Sequence, residues 1–336
     1  MNLKQLATEL KLSISTVSKA LRDSHEISTA TKEKVLKKAK ELNYQVNPFA
    51  SSLRKQKSKT IAVVIPEVVN DFFGPVINGI ESIAQEKGYH VLIYLTHDDM
   101  NKEVAITKLL QNGRVDGILI SLSAQTSDTN HLEVLKEKEI PLVFFDRIAE
   151  HIDAPKVVTN DQQSGALATE HLIQSGCKRI AFLTISQKLS ISNKRMNGYL
   201  ETLKAHKIKQ DNSLILKCDK DDANNTAQIR MLLKKKNRPD GIFASIEQLA
   251  LQTYIICEEL NLRIPEDIKI ICFSNLKTAG LLNPSMTTIT QPAFEMGREA
   301  ASILFKLVEK KGHHFLQEKT ILNSTLIKRN STKRDK

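Results

Sequence analysis

Two patterns of apolar residues in one chain predict a small all-α headpiece of helix-turn-helix type, followed by a two-lobed α/β body with doubly wound parallel sheets. Up to residue 44, apolar side chains recur at helical spacing in three short stretches divided by tight turns. From residue 60 onward, continuous β-branched runs alternate with amphipathic stretches, and the alternation restarts after residue 159. Charge divides along the same line. Of a net +11, residues 1–60 supply +8 (13 Lys and Arg against 5 Asp and Glu) and residues 328–336 supply +4 (5 against 1). The stretch between them is balanced, 31 against 32. A basic module on a neutral body is the footprint of polyanion binding.

In the headpiece, Leu3, Leu6, Ala7 and Leu10 stand at i, i+3, i+4 and i+7, with Asn2 placed to cap that helix. Ser13 caps a second helix, Ile14–Leu21, after a turn with room only for a tight helix pair. Ser28 opens a third, whose inner stripe is Val35, Ala39 and Leu42. Such a pair backed by a third helix offers the N-terminal side chains of its second helix to a major groove. Next, Asn47 can cap and Pro48 suits a first helical position, while Ala50 and Leu53 share one face. A segment that short is not helical by itself, because nucleation is costly. The expected division is 1–46 for the headpiece, 47–59 for hinge helix and linker, 60–327 for the body and 328–336 for a basic disordered tail.

In the body, Thr60–Ile65, Val91–Leu95, Gly117–Leu122 and Leu142–Asp146 read as strands, with helices Phe73–Lys87, Lys102–Gln111 and Leu132–Lys138 between them. After Thr159 come helix Ser164–Gln174, strand Arg179–Thr184, helix Lys194–Ala205, strand Ser213–Leu216 and helix Thr226–Lys235. Strand Gly241–Ala244, helix Gln248–Leu260, strand Lys269–Phe273 and helix Ala293–Lys310 complete the series. Runs that are apolar throughout indicate strands buried on both faces, hence parallel sheets. Two successive βα series predict two lobes with a ligand cleft between them.

Other chemistries find no support. Cys177, Cys218, Cys257 and Cys272 lie far apart without zinc or C-x-x-C spacing, and are expected as core thiols in a reducing compartment. No secretory segment and no apolar run of roughly 20 residues is present, so a cytoplasmic protein with no membrane partner is expected. G-x-G-x-x-G, H-E-x-x-H and G-x-S-x-G are missing, and Gly74 and Gly79 lack the Lys that would complete a P-loop. His313-His314 reads as a solvated turn. The expectation is no catalytic constellation, no cofactor and no metal.

The run L-x-x-L-A-x-x-L-x-L-S-x-S-T-V-S-K-A-L from Leu3 to Leu21 resembles the headpiece of the lactose-repressor (LacI/GalR) family of bacterial transcription regulators. So does I-S-x-x-T-K-E-K-V-L-x-x-A-x-E-L-N-Y from Ile27 to Tyr44, and Asn47–Arg54 is similar to that family's hinge helix. The resemblance runs to about Ile327 and implies a body like that of periplasmic sugar-binding proteins, which close on a ligand by hinge motion. It implies a ligand-responsive regulator, repressor being the commoner behaviour, bound as a homodimer to a pseudo-palindromic double-stranded operator. Ile14, Ser15 and Lys19 then touch base edges, Ile14 on a thymine methyl and Lys19 on guanine O6 and N7. Thr16 and Ser18 are suited to phosphates, and Ala50 and Leu53 to the minor groove, where Leu53 wedges a base step. Arg22 stands where the family usually has Asn.

For a small-molecule effector, a sugar or sugar derivative, the resemblance implies five places. These are Asn70-Asp71-Phe72-Phe73, Asp146-Arg147, Asn160-Asp161, Arg195, and Ser274-Asn275. Two departures matter. Ile246-Glu247 replaces a common Asn-Asp, and Ser274 replaces an Asp, which predicts fewer polar groups in the second lobe. The polar C-terminus has no leucine heptad, so dimers rather than tetramers are expected. Two other classes remain: a cytoplasmic α/β sugar-binding protein, and a sugar-handling enzyme with a nucleic-acid-binding appendage. The helix-turn-helix pattern counts against the first, and the missing acid–base pair against the second.

Overall fold

The computed structural model describes residues 2–44, 58–69, 71–185, 189–218, 221–309 and 318–333. The chain divides into two compact units, residues 1–58 and 59–336. In the first, α1 (Leu3–Leu10), α2 (Ile14–Ala20) and α3 (Thr29–Glu41) form in the predicted order. Their starts are fixed locally. Asn2 and Gln5 make a reciprocal capping box, and the Ser13 and Ser28 side chains accept the N–H groups of Thr16 and Thr31. Leu6, Val17 and Val35 are wholly buried where the three helices meet, with Ala7, Ala20 and Ala39 around them.

The second unit begins with β1 (Thr60–Ile65), α4 (Phe73–Glu86), β2 (His90–Leu95), α5 (Met100–Leu110) and β3 (Gly117–Ile120). It continues with α6 (Asn130–Glu137), β4 (Leu142–Phe145) and β5 (Lys156–Thr159). These make lobe 1. Lobe 2 runs through α7 (Asp161–Gln174), β6 (Ile180–Thr184), α8 (Ser190–Ala205), β7 (Ile215–Lys217) and α9 (Asp222–Leu233). β8 (Gly241–Ala244), α10 (Glu247–Glu259), β9 (Lys269–Phe273) and β10 (Thr287–Thr290) follow. The chain then returns to lobe 1 for α11 (Ala293–Glu309) and β11 (Lys319–Leu322), and ends in lobe 2 with β12 (Thr325–Ile327).

Two six-stranded sheets result, in the orders β11-β5-β4-β3-β1-β2 and β12-β10-β9-β8-β6-β7. Every pairing is parallel except β10 with β12. The strands read as continuous apolar runs are buried along their whole length in β1, β3, β4, β6 and β8. α11 packs in the lobe 1 core, with Met296, Ala300 and Leu304 against Ile61, Val76 and Ile80. All four cysteines are free and buried.

Three passages of chain join the lobes, and hydrogen bonds lace them together. The backbone N–H of Asn160 donates to the Leu322 carbonyl (3.0 Å), and the N–H of Ser324 donates to Asn160 Oδ1 (2.9 Å). Gln291 Nε2 donates to Thr159 Oγ1 (3.2 Å). Each bond ties one crossing to another, so the three crossings brace one another.

Residues 328–333, expected within a disordered tail, are instead folded against lobe 2. Ser331 Oγ donates to the Ile270 carbonyl (2.6 Å) and accepts the Thr287 N–H (2.8 Å). Arg329 Nη1 donates to the Met286 carbonyl (2.6 Å), and Thr332 Oγ1 shares a hydrogen bond with His171 Nε2 (2.7 Å). Ser331 and Thr332 are buried. The strap is polar because it is held by hydrogen bonds, so its hydropathy is that of a tail.

Candidate functional site

Each unit carries one candidate site. In the first, α2 turns Val17 and Ala20 inward and leaves Ile14 47% exposed, so Ile14 is not a core residue. Ser15 is exposed beside it. The Ser13 hydroxyl lies 2.8 Å from both Ser15 Oγ and Thr16 Oγ1, which fixes the hydroxyl-bearing first turn. Lys19 pairs with Glu26, and Arg22 folds back so that Nε and Nη2 each donate to Ser18, at 2.9 Å. The helix stops at Ala20, and Asp23 follows in the left-handed region at φ 55°. Ala50 and Leu53 lie outside the described residues, as do Asn70, His313 and His314.

In the second unit, a cavity opens between the lobes at the carboxyl ends of the strands. Lobe 1 contributes Phe72, Phe73, Asp146 and Arg147; lobe 2 contributes Ile191, Arg195, Ser245, Ile246, Glu247, Phe273, Ser274 and Asn275, with Gln291 at a crossing. The placement follows from the winding, since the loops after parallel strands converge where the lobes face. Phe72 meets Phe73 edge-on, with ring centroids 5.2 Å apart. Asp146 follows β4 in the left-handed conformation, at φ 58°, and lines the cleft.

Arg195 is the most constrained member. Nε donates to Asp161 Oδ1 (2.8 Å), Nη1 to the Ser245 carbonyl (2.7 Å), and the guanidinium lies 3.7 Å from the centre of the Phe273 ring. It reaches this place because α7 and α8 cross closely. A Cβ on Gly165 would stand 2.4 Å from the Arg195 carbonyl oxygen, and one on Gly198 would stand 2.1 Å from that of Gln162. Arg147 Nη1 donates to Asp98 (2.7 Å), and its Nε is buried 3.9 Å from Asp146 without a hydrogen-bond partner. Burial pushes the Asp146 carboxyl above its ordinary range; Arg147 and Arg195 pull it down, and Asp161 pushes it up. Asn275 and Gln291 are tied reciprocally: Asn275 Nδ2 donates to the Gln291 carbonyl (2.8 Å) and Gln291 N–H to Asn275 Oδ1 (3.2 Å).

Seven of the expected effector residues therefore meet in one cavity, namely Phe72, Phe73, Asp146, Arg147, Arg195, Ser274 and Asn275. Three do not line it. Asp161 stands behind Arg195, Asn160 braces the crossings, and Asp71 lies just before Phe72 at the start of α4. The expected loss of polar groups in lobe 2 is corrected as well. Glu247 faces the cavity and accepts a hydrogen bond from the Ser274 hydroxyl. Burial raises its pKa, the Ser274 bond lowers it, and the charge of Asp71 raises it. Sequence reasoning missed Glu247 and Gln291 as lining residues, although both follow strand ends where such residues collect.

A helix-turn-helix unit with an exposed second helix, linked to two lobes around a polar cavity, defines a DNA-binding regulator with a ligand-binding body. The model described as bacterial regulatory proteins, lacI family, matches residues 2–47, and the periplasmic binding protein-like domain matches residues 169–332. The HTH-type transcriptional repressor PurR of Vibrio atlanticus is 30% identical over 311 residues, 93% of each chain. The ribose operon repressor of Halalkalibacterium halodurans is 30% identical over 309 residues, 92% of this chain and 91% of its own. Among solved structures, a transcriptional regulator CelR–cellobiose complex superposes with TM-score 0.73 at 25% identity, covering 98% of this chain and 99% of the other. The lac repressor dimer bound to operator and the anti-inducer ONPF gives TM-score 0.85 at 21% identity over 99% of both chains, a likeness of fold. The chain belongs to the lacI family of bacterial regulatory proteins; it is a transcriptional repressor and not an enzyme. Among the described residues, no helix is long and apolar enough to cross a membrane.

Proposed function

We propose that the protein represses transcription as a homodimer on a pseudo-palindromic operator, under the control of a sugar or sugar derivative held in the interlobe cavity. The observation that carries the reading is the cavity wall, contributed by both lobes, with buried charged groups from each. A ligand touching both walls favours one degree of closure over another, and only such differential contact can shift a conformational equilibrium. The ribose operon repressor and the cellobiose complex among the relatives support a hydroxylated ligand. For the homodimer, support comes from β2, an edge strand that leaves Leu92 and Ile93 exposed.

On DNA, Ile14, Ser15 and Lys19 take the base edges, while Thr16 and Ser18 take phosphates. Lys19 leaves Glu26 to do so, at little cost because the pair is solvent-exposed. Ala50 and Leu53 enter the minor groove, an assignment resting on the sequence resemblance. Effector occupancy then changes operator affinity by a coupling of about 1–3 kcal/mol, or 5- to 150-fold. The test is a gel shift on adjacent promoter DNA, at rising salt and with a panel of sugars. A discrete complex, a steep salt slope and a response to one sugar are expected. A diffuse, sequence-indifferent smear overturns the reading.

A further inference from the structure

Three of the acids around the interlobe cavity stand beside a guanidinium, and Glu247 does not. Asp98 and Asp146 face Arg147, and Asp161 faces Arg195. Among the described residues, Glu247 accepts a hydrogen bond from the Ser274 hydroxyl and forms no ion pair with a Lys, Arg or His. It is held in the cavity wall at the first turn of α10. Two residues before it, the Ser245 hydroxyl is 1% exposed, lines the same cavity and has no hydrogen-bond partner. A buried hydroxyl left without a partner in a native fold marks the place of a missing polar group. One end of the cavity thus offers an ionisable acceptor and an open hydroxyl side by side.

The charge balance says what kind of group belongs there. Among the described residues, two guanidinium groups stand among the carboxyl groups of Asp98, Asp146, Asp161 and Glu247, so acids outnumber cations around the cavity. A phosphate or carboxylate on the ligand would be repelled, while an ammonium donates charge-assisted hydrogen bonds to an unmatched acid. Lobe 1 strengthens the preference. Asp71, at the start of α4, is close enough for its charge to act on Glu247 across the cleft. Acids from opposite lobes resist closure until a cation lies between them. A metal ion fits less well, since among the described residues no three His, Cys, Asp or Glu gather to hold one.

We propose that Glu247 selects an effector bearing a protonated amine beside its hydroxyl groups, an amino sugar in chemical class, over neutral and phosphorylated sugars. The proposal rests on the interlobe cavity being the effector site. The ammonium sits between Glu247 and Ser245, with the hydroxyls toward Asp146, Arg195 and Asn275, and its arrival offsets the repulsion between Asp71 and Glu247.

Calorimetry on the full chain tests this with two matched sets: D-glucosamine, D-glucose and D-glucose 6-phosphate, and D-galactosamine with D-galactose. In at least one set the amine is expected to bind tenfold or more tightly than its hydroxyl counterpart, with the phosphate weakest. Glu247→Gln should bring that ratio to near one, and Glu247→Asp should keep it; the melting temperature of each variant shows that it is folded. The proposal is overturned if neither amine binds, if the neutral or phosphorylated sugar binds as well, or if the preference survives in Glu247→Gln. The operator gel shift separates the two readings. A discrete shift that answers to some other sugar leaves the regulator standing and removes only the amine. Loss of the shift removes the regulator as well.

Discussion

The α2 face and the interlobe cavity are built on opposite principles. On α2 the residues assigned to DNA stand outside the core: Ile14 is exposed, Lys19 holds only an exposed ion pair, and the hydroxyls of Ser15 and Thr16 meet Ser13. In the cavity the assigned residues are also structural: Arg195 is 3% exposed, bridges two elements through Asp161 and Ser245, and covers Phe273. A surface that reads a rigid duplex can be tuned without disturbing its own fold. A cleft that must close on its ligand has its recognition groups wired into the packing of both lobes.

The largest expected effect tests that wiring. Arg195→Met leaves Asp161 buried without its cation, so urea unfolding should show a loss of about 3–5 kcal/mol. A loss below about 1 kcal/mol would mean that the guanidinium is not structural. Asn160→Ala removes the acceptor for the Ser324 N–H and for the Ser164 hydroxyl, and a cost of about 1–3 kcal/mol is expected in the same measurement. On the other side of the comparison, Lys19→Ala should weaken operator binding by about 1–3 kcal/mol and relax one position of each half-site, as read by competition with mutated operators. Ile14→Ala should change unfolding free energy by no more than about 0.5 kcal/mol while still weakening the operator complex.

The smallest effect concerns the strap. Burial, with a lesser push from Lys328, holds the His171 pKa below its ordinary value of 6.5. The native state therefore binds fewer protons there than the unfolded chain, and stability is lost as pH falls through 6.5 toward the folded value. Hydrogen-exchange protection at Ser331 and Thr332, corrected for the intrinsic pH dependence of exchange, should fall on acidification across that window. His171→Gln, which cannot take up the proton, should flatten the dependence.

How much was legible follows the same division. The helices of the headpiece were readable because Ser13 and Ser28 announce their starts and Leu6, Val17 and Val35 keep helical spacing. In the body, α7, α8 and α9 begin three or four residues before their apolar spacing does, since Asp161, Ser190 and Asp222 open them with polar turns. Strands β5, β10, β11 and β12 gave no signal. The first two set only two apolar residues (Val157, Val158) or one (Ile289) among Lys and Thr although buried, and the last two are short, half-exposed edges. Buried polar groups matched by distant partners escape hydropathy altogether, as with Ser331 on Ile270 or Gln291 on Thr159. Glu247 escaped for another reason: comparison with a family pattern registered what was lost at that turn, not the carboxylate that stands there instead.

The central claim is that α2 reads a symmetric operator with Ile14 and Lys19 while its own fold stays indifferent to them. Selection from randomised duplex DNA tests it most directly, with the parent chain and Lys19→Ala side by side. An inverted-repeat consensus for the parent, and the same consensus degenerate at one mirrored position for the variant, is the predicted result. A parent that enriches no symmetric sequence, or a variant that selects the parent's sequence unchanged, would contradict it.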